Sequence, residues 1–84
     1  VPFEFTSIHV VKNLICPAHR DKHNVGDSVI VAFGEYTGCH LVVERISYDT
    51  NCQPIMFNGS ELLHWNTPDL VGTKYSIIFY KAKS

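Results

Sequence analysis

Eighty-four residues, 45% of them hydrophobic, allow one small domain, and a chain of this size buries only about 60 to 65% of its unfolded surface. A net charge of −1 leaves no basic footprint for a nucleic-acid backbone, and no apolar run approaches the roughly 20 residues of a membrane-spanning helix. Three irregularly spaced cysteines, Cys16, Cys39 and Cys52, fit reduced thiols better than a disulfide framework; residues 1–6 lack a basic stretch followed by an apolar one, so the expectation is an intracellular domain without a leader or a membrane segment.

No segment keeps a 3.6-residue period over ten positions, so the elements read as strands. Phe5, Ile8, Val10 and Val11 mark a first run that ends near Ile15, ahead of Pro17, whose missing N–H interrupts pairing. SVIVAF at 28–33 is continuously apolar and β-branched, as expected of a strand covered on both faces. GEYTG at 34–38 reads as a turn, with CHLVVERI at 39–46 leaving it as the partner strand. After a polar connection over 48–53, PIMF at 54–57 and ELLHW at 61–65 flank Asn58-Gly59, a strong hairpin signal. Residues 66–72 form a loop and TKYSIIFY at 73–80 the last strand, with Lys74, Ser76, Ile78 and Tyr80 on one face and Tyr75, Ile77 and Phe79 on the other. Six or seven short strands with frequent turns predict a single all-β domain over 1–84, a sandwich or a jelly-roll barrel.

The densest chemistry lies in CPAHRDKHN at 16–24. His19 and Asp21 are two residues apart, so in extended backbone both project from the same face. A histidine and a carboxylate so placed supply two ligands of a facial triad, which leaves the opposite positions of an octahedral metal open. His64 is the natural third ligand. Farther on, Lys74 and Ser76 share a face, where a cation beside a hydroxyl suits the distal carboxylate of a dicarboxylic acid.

These residues resemble those of the Fe(II)- and 2-oxoglutarate-dependent oxygenases, and within them the TET/JBP group that oxidises methylated pyrimidines in nucleic acid. The resemblance runs in the family's order through HRDKHN at 19–24, GDSVIVAF at 26–33, GEYTGCHLVV at 34–43, PIMFNGSELLH at 54–64 and GTKYSIIFYK at 72–81. It implies a minimal double-stranded β-helix core, cupin-like, standing alone or as part of a longer protein. It implies iron ligands His19, Asp21 and His64, and 2-oxoglutarate contacts at Lys74 and Ser76 with His40 as a further one. Asn24 and Tyr80 correspond to contacts with the flipped target base, so the implied partner is nucleic acid and the implied compartment the nucleus. Three positions differ: the usual anchoring Arg is Lys74, a point charge rather than a fork, the common Gly-Gly after the hairpin is Gly38-Cys39, and the base-contacting His two residues after the Tyr is Ala82.

Two other readings stay open. Cys16, His19 and His23, completed by Cys39 or Cys52, have spacing that permits a tetrahedral structural zinc site in a domain small enough to need one. A non-catalytic β-module with an unused triad, serving as a structural or interaction subunit among other protein chains, accounts for the short length and for Lys74.

Overall fold

The computed structural model describes residues 4–83; residues 1–3, on which part of the expectation of no leader falls, and residue 84 lie outside them. Among the described residues nine antiparallel-paired strands carry the fold: β1 (Ser7–Lys12), β2 (Ser28–Phe33), β3 (Tyr36–Thr37), β4 (Leu41–Val43), β5 (Ile46–Tyr48), β6 (Ile55–Phe57), β7 (His64–Asn66), β8 (Val71–Gly72) and β9 (Tyr75–Tyr80). No helix is present among the described residues, so none is long and apolar enough to cross a membrane.

The larger sheet has the order β1-β9-β2-β6. Its centre is the β2–β9 pair, in which Ala32 meets Ser76 and Ile30 meets Ile78. Directly opposed residues project from the same face, so Ser28, Ile30 and Ala32 of β2 lie with Ser76, Ile78 and Tyr80 of β9 on the inner side. The alternation read from the sequence of 73–80 holds: Lys74 and Ser76 are buried, Ile78 and Tyr80 line the inner cavity, and Tyr75 is exposed on the other face. Phe79, on that same outer face, packs edge-on against Phe5 with ring centroids 5.2 Å apart.

A second sheet has the order β5-β4-β7, and β3 pairs with β8 in a third, two-stranded one. Leu41 and Val43 of β4 are buried with Val29, Val31, Ala32 and Cys39, and these six make up the apolar core. The chain enters β4 through Gly38 and Cys39, both in left-handed backbone (φ 73° and 53°). A Cβ at Gly38 would stand 2.1 Å from the Asp69 carbonyl oxygen, which makes glycine obligatory there.

Four expectations about pairing are corrected. The 28–33 strand does not pair with the segment after GEYTG; it lies between β9 and β6, strands distant in sequence that hydrogen-bond its two edges. The 39–46 segment is itself a hairpin, β4 turning through Glu44 (φ 54°) and Arg45 into β5. Asn58-Gly59 joins strands of different sheets, β6 on β2 and β7 on β4, so it is a corner between layers rather than a hairpin turn. The first strand ends at Lys12 rather than near Ile15, since Asn13 takes a left-handed φ of 54° and turns its side chain to accept from the Lys74 N–H.

Candidate metal centre

The segment carrying His19 and Asp21 runs alongside β7. His19 and His64 exchange both backbone hydrogen bonds at 3.0 Å, an isolated bridge that places His19 next in line after β7. Two residues later the Asp21 N–H donates to the Gly59 carbonyl at 2.8 Å. Residues 45 positions apart in sequence are thereby held side by side, with their imidazole centroids 4.3 Å apart.

Each imidazole is oriented by a backbone carbonyl two residues before it. His19 Nδ1 donates to Pro17 O at 2.7 Å and His64 Nδ1 to Leu62 O at 2.8 Å, which turns both Nε2 atoms toward Asp21. The Asp21 oxygens then lie 3.2 Å from His19 Nε2 and 3.3 Å from His64 Nε2. Phe57 meets the His64 ring edge-on at 4.9 Å and closes the side of the cluster nearest the larger sheet.

The electrostatics follow from this contact. Burial pushes the His64 pKa down, but the Asp21 hydrogen bond, the Leu62 carbonyl and the Asp21 charge outweigh it and hold the imidazolium above the ordinary histidine range. For Asp21, burial works upward, while the hydrogen bond and charge of His64, followed by those of His19, bring the carboxyl below its usual value. Without a metal, the cluster is a carboxylate held between two imidazole Nε2 atoms.

One ligand atom each from His19, Asp21 and His64 falls within 4.8 Å of the others, and no other such group of three occurs among the described residues. Two imidazole nitrogens and a carboxylate oxygen on one side of an ion leave its opposite side free, so this donor set fits a six-coordinate transition metal. The carbonyl-bound Nδ1 atoms fix the tautomer that presents Nε2. The alternative zinc set is not brought together here: among the described residues Cys16, His23, Cys39 and Cys52 form no group of three donors with His19. Burial, then the nearby Asp21 charge, also pushes the Cys16 thiol up, away from the thiolate a metal needs.

The triad opens on a cavity of about 470 Å³ between the sheets. Its walls include Ile30, Leu41, Phe57, Trp65 and Ile78, and Asn24 and Tyr80 both reach it. Asn24 is tied to Ala82 by a backbone bridge, which brings the end of the chain to the cavity mouth. His9 and His23, both exposed, lie on the lining as well.

Lys74, Ser76 and His40 are not on that lining. Lys74 is 3% exposed, its ammonium donating to the Cys39 carbonyl at 2.7 Å and lying 5.3 Å from the Tyr36 ring centroid. His40 is held beside the start of β4 by its backbone, donating to Thr67 Oγ1 and accepting from the Thr67 N–H. The residue types suit a distal carboxylate, but the cation is closed off from the cavity. The 2-oxoglutarate seat is therefore not formed in this arrangement.

Sequence reasoning missed Gly59, Phe57 and the Pro17 and Leu62 carbonyls. Carbonyls belong to every residue and leave no mark in a sequence; Phe57 reads only as one apolar strand position. No protein-family model matches the chain, and no curated protein matches it either.

Proposed function

We propose that this chain is the core of an Fe(II)-dependent oxygenase of the 2-oxoglutarate class, TET/JBP-like, acting on the methyl group of a modified nucleobase. The observation that carries the reading is the convergence of two Nε2 atoms and one carboxylate, within 4.8 Å, on the wall of a largely apolar cavity. Strand order supports the double-stranded β-helix: β1-β9-β2-β6 faces β5-β4-β7, and the His19–His64 bridge extends the second sheet by a fourth position. Bound iron supplies the open coordination positions at which oxygen is activated for C–H hydroxylation.

The chain's own part is binding, orientation and exclusion of water. His19 and His64 present Nε2 because their Nδ1 protons are committed to carbonyls, and Asp21 contributes the negative charge that offsets a divalent cation. Phe57, Trp65, Leu41 and Ile78 form walls that shed water, and Asn24 and Tyr80 offer an amide and a phenol to the edge and face of a ring. A base within a duplex has to be extruded into such a pocket, at a cost of a few kcal/mol.

The test is anaerobic loading with iron, then oxygen, 2-oxoglutarate and an oligonucleotide containing 5-methylcytosine, with succinate and base oxidation read together. Turnover that vanishes in His19→Ala and Asp21→Ala is expected. An iron-loaded protein that forms no succinate refutes the enzyme.

One observation favours a second reading. The closure of Lys74 against Cys39 is what a non-catalytic β-module would show, with the ammonium serving the fold alone. Such a module keeps its fold when His19, Asp21 and His64 are replaced together.

A further inference from the structure

Of the chain's five glycines, Gly26, Gly34, Gly38 and Gly72 adopt positive φ, and Gly59 does not. At Gly34, Gly38 and Gly72 a Cβ would collide first with a backbone carbonyl oxygen, so those glycines serve the path of the chain. Gly59 differs on both counts. Its backbone makes no demand for glycine, yet it is buried, and a Cβ there would lie 2.6 Å from Asp21 Oδ2, 3.3 Å from Phe57 Cε2 and 3.4 Å from His64 Cε1. The nearest atom is the free end of a side chain in the triad, which would have to move.

We infer that Gly59 is a positioning residue of the metal centre: its missing side chain is the space in which the Asp21 carboxylate stands between His19 and His64. The Gly59 carbonyl fixes the backbone of the same residue, accepting from the Asp21 N–H at 2.8 Å. One residue thus sets where Asp21 sits through its oxygen and which way its carboxylate points through its empty face. Any larger residue keeps the first function and removes the second. The inference rests on the triad being a metal centre for its metal-binding consequence, whereas the steric relation to Asp21 stands without a metal.

The experiment has two parts. In metal-free protein, Gly59→Ala is made in the native background and in Asp21→Ala, and thermal midpoints are compared. With the carboxylate present the expected loss is about 4 to 8 °C; with it absent only the 3.3 Å and 3.4 Å contacts to Phe57 and His64 remain, and the loss is expected to fall to less than half. In the second part Co(II) is titrated as a spectroscopic probe of coordination. Gly59→Ala is expected to weaken its binding about 10- to 100-fold and to shift its visible absorption, the size of effect seen when residues that orient ligands are altered.

Equal losses of midpoint in both backgrounds overturn the inference, since the collision is then with the frame and not with the carboxylate. Unaltered cobalt affinity and spectrum in a folded Gly59→Ala protein overturn it as well. Where Gly59→Ala alone does not fold, recovery of folding in the Asp21→Ala background supports the inference and failure to recover overturns it. A native protein that takes up no Co(II) refutes the metal centre, and the metal-free comparison still decides the role of Gly59.

Discussion

The Lys74 ammonium donates to the carbonyl of Cys39 at 2.7 Å and lies 3.4 Å from the Cys39 sulfur, with both residues almost wholly buried. No carboxylate pairs with this cation among the described residues. A buried ammonium without an anionic partner is a costly way to fill space, so whether Lys74 serves the fold alone or a ligand as well is open to direct test.

Lys74→Met is that test. Removing the charge relieves desolvation but leaves the Cys39 carbonyl without its donor, and the two nearly cancel. Stability in urea is expected to stay within about 1.5 kcal/mol of native. Because its ammonium is turned to Cys39 and away from the cavity lining, Lys74 can meet 2-oxoglutarate only by leaving that carbonyl. If it does so, Lys74→Met is expected to lose 2-oxoglutarate binding, followed by calorimetry on the metal-loaded protein. Binding at native strength would remove Lys74 from the site.

The triad makes metal-free stability depend on pH in two directions. His64 is raised by Asp21, so its contribution is complete below the unfolded histidine pKa and is lost as pH rises through the higher folded value. Asp21 is lowered, so its contribution is complete above the unfolded carboxylate pKa and is lost as pH falls through the lower folded value. Stability is expected to peak between those limits and to decline on the alkaline side in native protein but not in Asp21→Ala. Denaturation across pH checks this. Metal affinity follows the opposite course to His64 protonation, strengthening as pH rises, because a ligand must surrender its Nε2 proton.

Leu41 is 3% exposed on β4 and forms part of both the core and the cavity wall. Leu41→Ala is expected to cost about 2 to 5 kcal/mol in chemical denaturation, from lost burial and the space left behind. Because the enlarged space opens toward the cavity, water reaches the triad more readily. Val10→Ala, on the exposed edge strand β1, is expected to change stability by less than about 0.5 kcal/mol and serves as the control.

The sequence by itself determined the class of the fold, the faces of the last strand and the identity of three converging donor side chains. These are legible because they depend on local rules: β-branched runs, the period of two, and the two-residue step from His19 to Asp21. The tertiary structure decided which strands are neighbours. Turn signals such as GEYTG and Asn58-Gly59 report that the chain changes direction, not which sheet it joins next, and pairing is chosen by which apolar faces cover each other across long loops. The same limit hid the state of Lys74, since a face shared with Ser76 is local while closure by Cys39 comes from another strand's approach. It hid Gly59 too. A glycine beside asparagine reads as a turn, and only the packing of β7 against the 19–21 segment turns its absent side chain into the space for a carboxylate.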